Sequence, residues 1–316
     1  MRLDPAIEEF RKQWQEFGGK PSPSEQDMID LRGRLDAAMA TNGRPPRADV
    51  EIADVVAGVP VRLYRPAGIE GRIPLHVHFH GGAFILGSAM SSAEDGELAE
   101  RAAAAKCVVA SVEYRLAPEH RFPAGIEDCY QALTTLVDRA AEFSIDPGTV
   151  TVGGGSSGGN FAAVVALMAK ERGGPQLALQ LLEVAGTDLT KSSAAWRNPA
   201  PGHDTTRAAD LHLIDMYLNS QAERVHRFAS PLLYPDLAGA APAYIMNAEF
   251  DPRRDECEAY AVRLRDAGVP AVARTMNGHI HGSMVLPDWP PAIAWREEAN
   301  TVLAQVNAGT FSWATV

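Results

Sequence analysis

Val150 to Ala163 reads VTVGGGSSGGNFAA, and the rest of the chain is best read outward from this stretch. An apolar, β-prone run (Thr149 to Val152) enters a cluster of glycines, and a helix-forming segment (Phe161 to Glu171) follows at once. Gly154-Gly155-Ser156-Ser157-Gly158 fits the G-x-S-x-G pattern, in which a serine sits on a sharp strand-to-helix turn and small neighbours let the backbone close around it. The helix behind such a turn aims its positive end at the serine, where negative charge develops during acyl transfer. Gly155 to Gly159 fits the same pattern, so the pattern alone does not choose between Ser156 and Ser157. Glycine-serine runs also serve as plain loops or anion nests, so the chemistry depends on what surrounds this one.

Bulk properties narrow the class. In 316 residues, 46% are hydrophobic and 22% charged, the balance of a globular protein with ample material for a core. The formal net charge of -11, with no basic cluster, argues against nucleic acid or an anionic membrane surface as partner. Cys107, Cys129 and Cys257 are odd in number and show no C-x-x-C spacing, which disfavours a disulfide framework or zinc site and fits a reducing compartment. The amino terminus, MRLDPAIEEFRKQW, carries charges where a secretion signal needs an apolar core. No window holds about eighteen consecutive apolar residues, so no membrane span is expected. A cytoplasmic location is the default expectation, resting on those absences.

Periodicity organises the remainder. Residues 5 to 17 and 24 to 40 read as amphipathic helices through Ile7, Phe10, Trp14 and Phe17, then Met28, Leu31, Leu35 and Met39. Pro21 and Pro23 separate them, and Ser24 with Asp27 offers a capped start. From Val50 the period becomes that of strands: 50 to 56 and 59 to 64 around an Ala57-Gly58 turn, 73 to 79, 107 to 114, the strand before Ser156, 177 to 184, 243 to 248 and 269 to 276. Helices are expected at 93 to 105, 123 to 141, 161 to 171, 253 to 267 and 290 to 305. Repeated strand-helix alternation implies a mostly parallel central sheet with helices on both faces. Between Thr190 and Arg227 the alternation breaks into a polar, irregular piece and a helix near 208 to 219, read as an insertion. The expected division is an amino-terminal helical part of a cap (1-47), the first part of an α/β core (48-189), a cap insertion (190-228) and the second part of the core (229-316). The cap would cover the carboxyl edge of the sheet, where open α/β sheets place their ligands.

A serine hydroxyl is a weak nucleophile and needs a base, itself oriented by a third group. After Ser156 the histidines are His203, His212 and His226, all in the insertion, and His279 and His281 in the loop NGHIHGS beyond the last strand. One of that last pair is the expected base. Asp251 and Asp188 each follow a strand at the same edge, and position alone does not separate them. His80-Gly81-Gly82-Ala83 closes the third strand, and backbone N–H groups in such a turn, with that of the residue after the nucleophile, make an oxyanion hole. His76, His78 and His80 alternate along one strand and raise a zinc-hydrolase alternative. His80 is already claimed by the turn, and no further ligand follows at suitable spacing, so no metal is expected. The cysteines sit in or beside packed elements and are poor nucleophile candidates.

Several segments together resemble the hormone-sensitive lipase family of α/β-hydrolases, the bacterial family IV esterases. HFHGGAF (78 to 84) is similar to its H-G-G-G motif, EYRLAPEHRFPA (113 to 124) to the hallmark after its fourth strand, and GGSSGGN (154 to 160) to G-D-S-A-G-G-N. EFDPRRDE (249 to 256) is similar to D-P-L-x-D-E, and HIHGS (279 to 283) to its histidine-glycine-phenylalanine site. SPL (230 to 232) and YAVRLRDAGV (260 to 269) are also familiar, so the resemblance runs from about residue 60 to the end. It implies an α/β-hydrolase fold with a helical cap, and a serine esterase of the carboxylesterase type acting on small or short-chain esters. The motif's closing asparagine falls on Asn160, which selects Ser156 as nucleophile. It also selects Asp251 as acid, His281 as base, and Gly81, Gly82, Ala83 and Ser157 as oxyanion-hole residues. No cofactor is implied, the partner is a small-molecule ester, and a homodimer is compatible with the family. A lactonase or amide hydrolase would use the same triad, and a non-catalytic receptor is the rival of another class, countered by the presence of serine, aspartate and histidine. Three departures bear on rate: Ala83 for the third oxyanion glycine, Gly155 for the aspartate before the nucleophile, and Ser283 for the phenylalanine after His281-Gly282.

Overall fold

The alternation read from the sequence folds, in a computed structural model describing residues 3–18, 23–198 and 206–313, into one eight-stranded sheet. The strands are β1 (Val50–Ala57), β2 (Val59–Pro66), β3 (Ile73–Phe79), β4 (Val108–Val112), β5 (Ile145–Gly155), β6 (Leu179–Glu183), β7 (Ala243–Ala248) and β8 (Ala271–Met276). Their spatial order is β1-β2-β4-β3-β5-β6-β7-β8. β1 and β2 form an antiparallel hairpin through Gly58, whose φ of 79° suits the tight turn. β2 is antiparallel to β4, and every pairing from β4 to β8 is parallel. That parallel block needs helical crossovers, which is why its inner strands are buried on both faces.

The helices are α1 (Pro5–Gly18), α2 (Glu25–Asn42), α3 (Asp95–Ala105), α4 (Ala124–Asp138), α5 (Ser157–Arg172), the short α6 (Ala194–Arg197), α7 (Arg207–Tyr217), α8 (Arg254–Asp266) and α9 (Pro290–Asn307). One sheet face packs Val77, Phe79, Val152 and Ile245 against α4, α5 and α8. The other packs Val109, Leu181, Tyr244 and Met246 against α3 and α9, around Leu98, Trp295 and Leu303. The switch of face between Leu181 and Leu182 is the two-residue period of a strand covered on both sides.

α2 begins as expected. Ser24 accepts from the Asp27 N–H while the Asp27 carboxylate accepts from the Ser24 N–H, a capping box, and Met28, Leu31 and Leu35 join the main core. Ile7 of α1 is fully buried against Phe250, Ile280 and Trp289. The side chains of Trp14, Phe17 and Met39, and His203 and Pro21 altogether, lie outside the described residues. Several expected boundaries shift by a few residues, and the shift at α5 has an identifiable cause. α5 starts at Ser157, four residues before the sequence suggests, because Gly158, Gly159 and Asn160 form its first turn. These glycines are weak helix formers, and tertiary contact overrides their propensity. The polar piece after Thr190 also contains α6, too short to announce itself. α7 meets the start of α2 where His212 Nε2 lies 2.8 Å from the Pro23 carbonyl oxygen.

Candidate active site

Ser156 occupies the corner between β5 and α5 with φ 56° and ψ −115°, a conformation that costs a non-glycine residue about 1–3 kcal/mol and persists only where its surroundings fix it. They do. The Ser156 N–H donates to the Glu183 carbonyl at 2.8 Å, and its own carbonyl accepts from Asn160 N at 3.1 Å and Gly186 N at 3.3 Å. A Cβ on Gly154 would stand 2.3 Å from the Phe79 carbonyl oxygen, so this glycine is required for β3 to pass so close. The Asn160 amide donates to the Gly186 and Ala229 carbonyls at 2.7 and 2.8 Å, tying the first turn of α5 to two loops.

Two loops at the carboxyl edge bring in the other groups. Asp251 follows β7 and His281 follows β8. The loops are joined where Phe250 N donates to the His279 carbonyl at 2.9 Å, and Ile7 packs beneath Phe250 and Ile280. Ser156 Oγ lies 2.9 Å from His281 Nε2, and His281 Nδ1 lies 2.6 Å from Asp251 Oδ2. Burial alone would raise the Asp251 carboxyl. The His281 ring, the Arg253 guanidinium and hydrogen bonds from both hold it instead well below the usual carboxylate range. A buried carboxylate, an imidazole and a hydroxyl thus stand in bonding sequence. The hydroxyl opens on a cleft walled by Ala83, Phe84, Ser157, Leu189 and Ile214.

The turn after β3 lies against this corner. A Cβ on Gly81 would sit 3.8 Å from Ser156 Cβ, and Gly82 has φ 128° with the Leu86 carbonyl oxygen where a Cβ would be. Ala83 and Phe84 follow with φ 54° and 68°, both in the left-handed region that strains an L-residue. Ser157 opens α5, so no acceptor within the helix awaits its N–H. The EYRLAP segment braces this turn. The Tyr114 hydroxyl donates to the His80 carbonyl at 2.7 Å, its ring stacks on His80, and Glu113 accepts from Ala89 N at 2.6 Å and Ser88 Oγ at 2.9 Å. From α2, Arg32 Nε donates to the Ile85 carbonyl at 2.6 Å, so an amino-terminal helix holds the same loop.

The remaining candidates have other partners. Asp188 caps its own turn, accepting from Thr190 and Ser192 through both backbone and hydroxyl groups. His279 is buried against Trp289 and Trp295 and shares a 2.8 Å hydrogen bond with Ser283 Oγ, which also donates to the Ile280 carbonyl. Ser283 therefore anchors the histidine loop by hydrogen bonds. His76 pairs with Thr151 Oγ1, His78 faces Glu94 at 3.6 Å and His80 belongs to the turn. Among the described residues no three His, Cys, Asp or Glu side chains are grouped to hold a metal ion. All three cysteines are buried and reduced, and burial pushes the Cys107 thiol up to about 12. No described helix is long and apolar enough to cross a membrane.

Sequence reasoning missed four charged residues around the cleft: Lys191, Asp210, Arg253 and Glu256. Lys191, Asp210 and Arg253 line it directly. Two signals were available: Arg253 stands at the leucine of the D-P-L-x-D-E pattern, and Glu256 at its closing glutamate.

A family model described as the alpha/beta hydrolase fold matches residues 76–285. The chain is 36% identical to carboxylesterase NlhH of Mycobacterium tuberculosis over 247 residues, covering 74% of this chain and 75% of that one. It is 35% identical to the carboxylic ester hydrolase LipN of the same organism, over 90% of this chain and 77% of LipN. Among solved structures, a thermostable esterase from Pseudomonas putida ECU1011 matches with a TM-score of 0.86 and 31% identity, covering 96% of this chain and 97% of its own. With its mostly parallel sheet and these relatives, the chain is a carboxylesterase-type hydrolase and belongs to the hormone-sensitive lipase family, the bacterial family IV, of α/β-hydrolases.

Proposed function

We propose that the protein hydrolyses small or short-chain carboxylic esters through Ser156, His281 and Asp251, by way of an acyl-enzyme. The observation that carries this reading is the pair of short contacts, 2.9 Å from Ser156 Oγ to His281 Nε2 and 2.6 Å from His281 Nδ1 to Asp251 Oδ2. His281 takes the hydroxyl proton as Oγ attacks the ester carbonyl, then delivers it to the leaving alcohol. Asp251 keeps the ring in the tautomer with Nδ1–H and stabilises the imidazolium. The carbonyl oxygen, negative in the tetrahedral intermediate, is received by N–H groups of Gly81, Gly82, Ala83 and Ser157. Donors fixed in advance need no reorganisation when the charge appears. Water, deprotonated by His281, then attacks the acyl-enzyme and releases the acid and free Ser156.

Preference for small esters is supported by the cleft. One wall consists of Lys191, Asp210 and Arg253, against which a long alkyl chain would be poorly placed. We take α1, α2 and residues 190–228 to be the cap over this cleft, with the core in residues 48–189 and 229–316. A fluorophosphonate probe with peptide mapping tests the nucleophile. Label on Ser156, lost in Ser156→Ala together with hydrolysis of p-nitrophenyl acetate, supports the assignment, and label on Ser157 or none overturns it. A p-nitrophenyl ester series tests chain length, with kcat/KM expected to fall beyond butyrate. A rise toward laurate would overturn the short-chain reading.

A further inference from the structure

The steps above leave unused a chain of buried charges running from the catalytic acid into α7. Arg253 donates its backbone N–H to Asp251 Oδ1 at 3.0 Å, and its Nη1 reaches the same oxygen at 3.4 Å. Its Nη2 bonds Asp210 Oδ1 on α7. Asp210 Oδ2 lies 3.3 Å from Lys191 Nζ, which is also 3.1 Å from Glu256 Oε1. The Trp196 ring lies 5.1 Å from the Lys191 ammonium and 5.2 Å from the Arg253 guanidinium, and its N–H donates to Glu256 Oε2 at 3.0 Å. None of the four charged side chains is more than a tenth exposed.

Burying four charges is a poor route to stability, because desolvation offsets most of what the pairing returns, and apolar side chains would serve as well. Geometry suggests another use. Asp251 has two carboxylate oxygens and one catalytic task. With Oδ1 occupied by Arg253, Oδ2 is left for His281, and the carboxylate cannot rotate to offer the other oxygen without losing both arginine contacts. Arg253 has a flexible side chain, and Asp210 fixes its far end. Burial would raise the Asp210 carboxyl, but Arg253 and Lys191 hold it below its ordinary range, so it stays an anion.

We propose that Arg253 and Asp210 form a positioning pair for the catalytic acid, in which Arg253 clamps Asp251 Oδ1 and Asp210 of α7 holds the clamp. Alignment of the triad then depends on α7 being docked over the cleft. The inference rests on the triad assignment made under Proposed function and adds two residues that touch no reacting atom.

The test measures kcat, KM and the pH dependence of kcat/KM on p-nitrophenyl acetate, with thermal unfolding in parallel, for Asp210→Asn, Arg253→Met, the double variant and Arg253→Lys. Misalignment of the acid is expected to lower kcat about 10- to 100-fold in each single variant. The His281 ring bonds Asp251 and interacts with the Asp210 anion; Arg253 bridges those two carboxylates, and Lys191, Glu256 and Asp188 are linked in turn beyond them. Removing the Asp210 anion leaves the arginine cation uncompensated and makes imidazolium harder to form, so the acid limb moves to lower pH. Arg253→Met removes the cation and moves the limb to higher pH. The double variant brings the limb back toward wild type while kcat stays low. Arg253→Lys, which keeps the charge without the planar fork, leaves the limb in place and still loses kcat, and it serves if Arg253→Met does not fold. Purely structural residues would lower the unfolding temperature with the limb unmoved in both Asp210→Asn and Arg253→Met. That result, or kcat within twofold of wild type in Asp210→Asn and Arg253→Lys, overturns the proposal. Ser156→Ala separates the two readings: retained hydrolysis there removes the triad itself, whereas an inactive Ser156→Ala with immobile limbs removes only the positioning pair.

Discussion

The carbonyl oxygen of Phe79 lies 1.9 Å from where a Cβ on Gly158 would stand, and that of His80 lies 2.6 Å away. The end of β3 thus runs directly over the first turn of α5, carrying the turn at residues 81–84 up to Ser156. Both obstructing atoms are backbone in a close-packed interior, so neither gives way cheaply. Gly158→Ala is expected to lose about 3 kcal/mol or more of stability and all Ser156 labelling. Gly155→Ala is the control. Its Cβ would meet only Met284 Cε at 3.4 Å and Glu183 O at 3.9 Å, ordinary contacts, so its urea midpoint should stay close to wild type. Equal behaviour of the two variants would contradict this account of the elbow.

Asp251→Asn replaces a buried acceptor by an amide that can present N–H to His281 Nδ1, favouring the ring tautomer in which Nε2 carries the proton and cannot take another from Ser156. Loss of kcat by about 10⁴-fold is expected, with the fold retained. Steady-state kinetics beside a far-UV spectrum check both halves. A kcat within tenfold of wild type would remove Asp251 from the triad.

Ala83 holds φ 54°, which costs an L-residue about 1–2 kcal/mol. Ala83→Gly relieves that strain, and the added freedom of the unfolded chain takes back about 0.4–1 kcal/mol. The net expectation is a gain of up to about 1.5 kcal/mol by urea denaturation, with kcat/KM little changed because the N–H at position 83 is kept. Destabilisation would mean that the Ala83 methyl group contributes packing that outweighs the strain.

Legibility in the sequence divides along a physical line. Features encoded in a few neighbouring residues are readable: the Ser24–Asp27 capping box, the Ala57-Gly58 hairpin and the strand-to-helix turn at Ser156 each require particular residue types at fixed spacing. Position along the chain leaves Asp188 and Asp251 equivalent, and only the family resemblance favours Asp251. The structure shows that Asp188 is spent on its own turn. The first turn of α5 is misread as loop because glycine propensity is local, whereas the contact with β3 that demands Gly158 is not. Lys191, Asp210, Arg253 and Glu256 are hidden for a different reason. Charged residues are by default expected at the surface, and nothing local marks four of them, spread over 66 positions, as meeting in one buried cluster.

That cluster sets an expectation for pH. Burial pushes the Glu256 carboxyl up to about 7 from an ordinary 4.5, although Lys191 and Arg253 pull the other way. A carboxyl raised on folding binds its proton more tightly in the native state. Below pH 4.5 it is protonated in both states, above 7 it is ionised in both, and between those limits the unfolded chain ionises first. Its contribution to stability therefore falls as pH rises from about 4.5 to 7. Asp251 and Asp188, held below their ordinary value of 3.8, act in the opposite sense and in a lower window, losing stability as pH falls beneath that value. Glu256→Gln keeps an acceptor for the Trp196 N–H and removes the titration. The variant should show a flatter dependence of unfolding free energy on pH between 5 and 7 than wild type, with the acid-induced loss below pH 4 unchanged. Urea denaturation at half-unit pH intervals measures both windows at once. Parallel curves for the two proteins between pH 5 and 7 would show that Glu256 is already ionised in the folded state throughout that range, its charge held by Lys191.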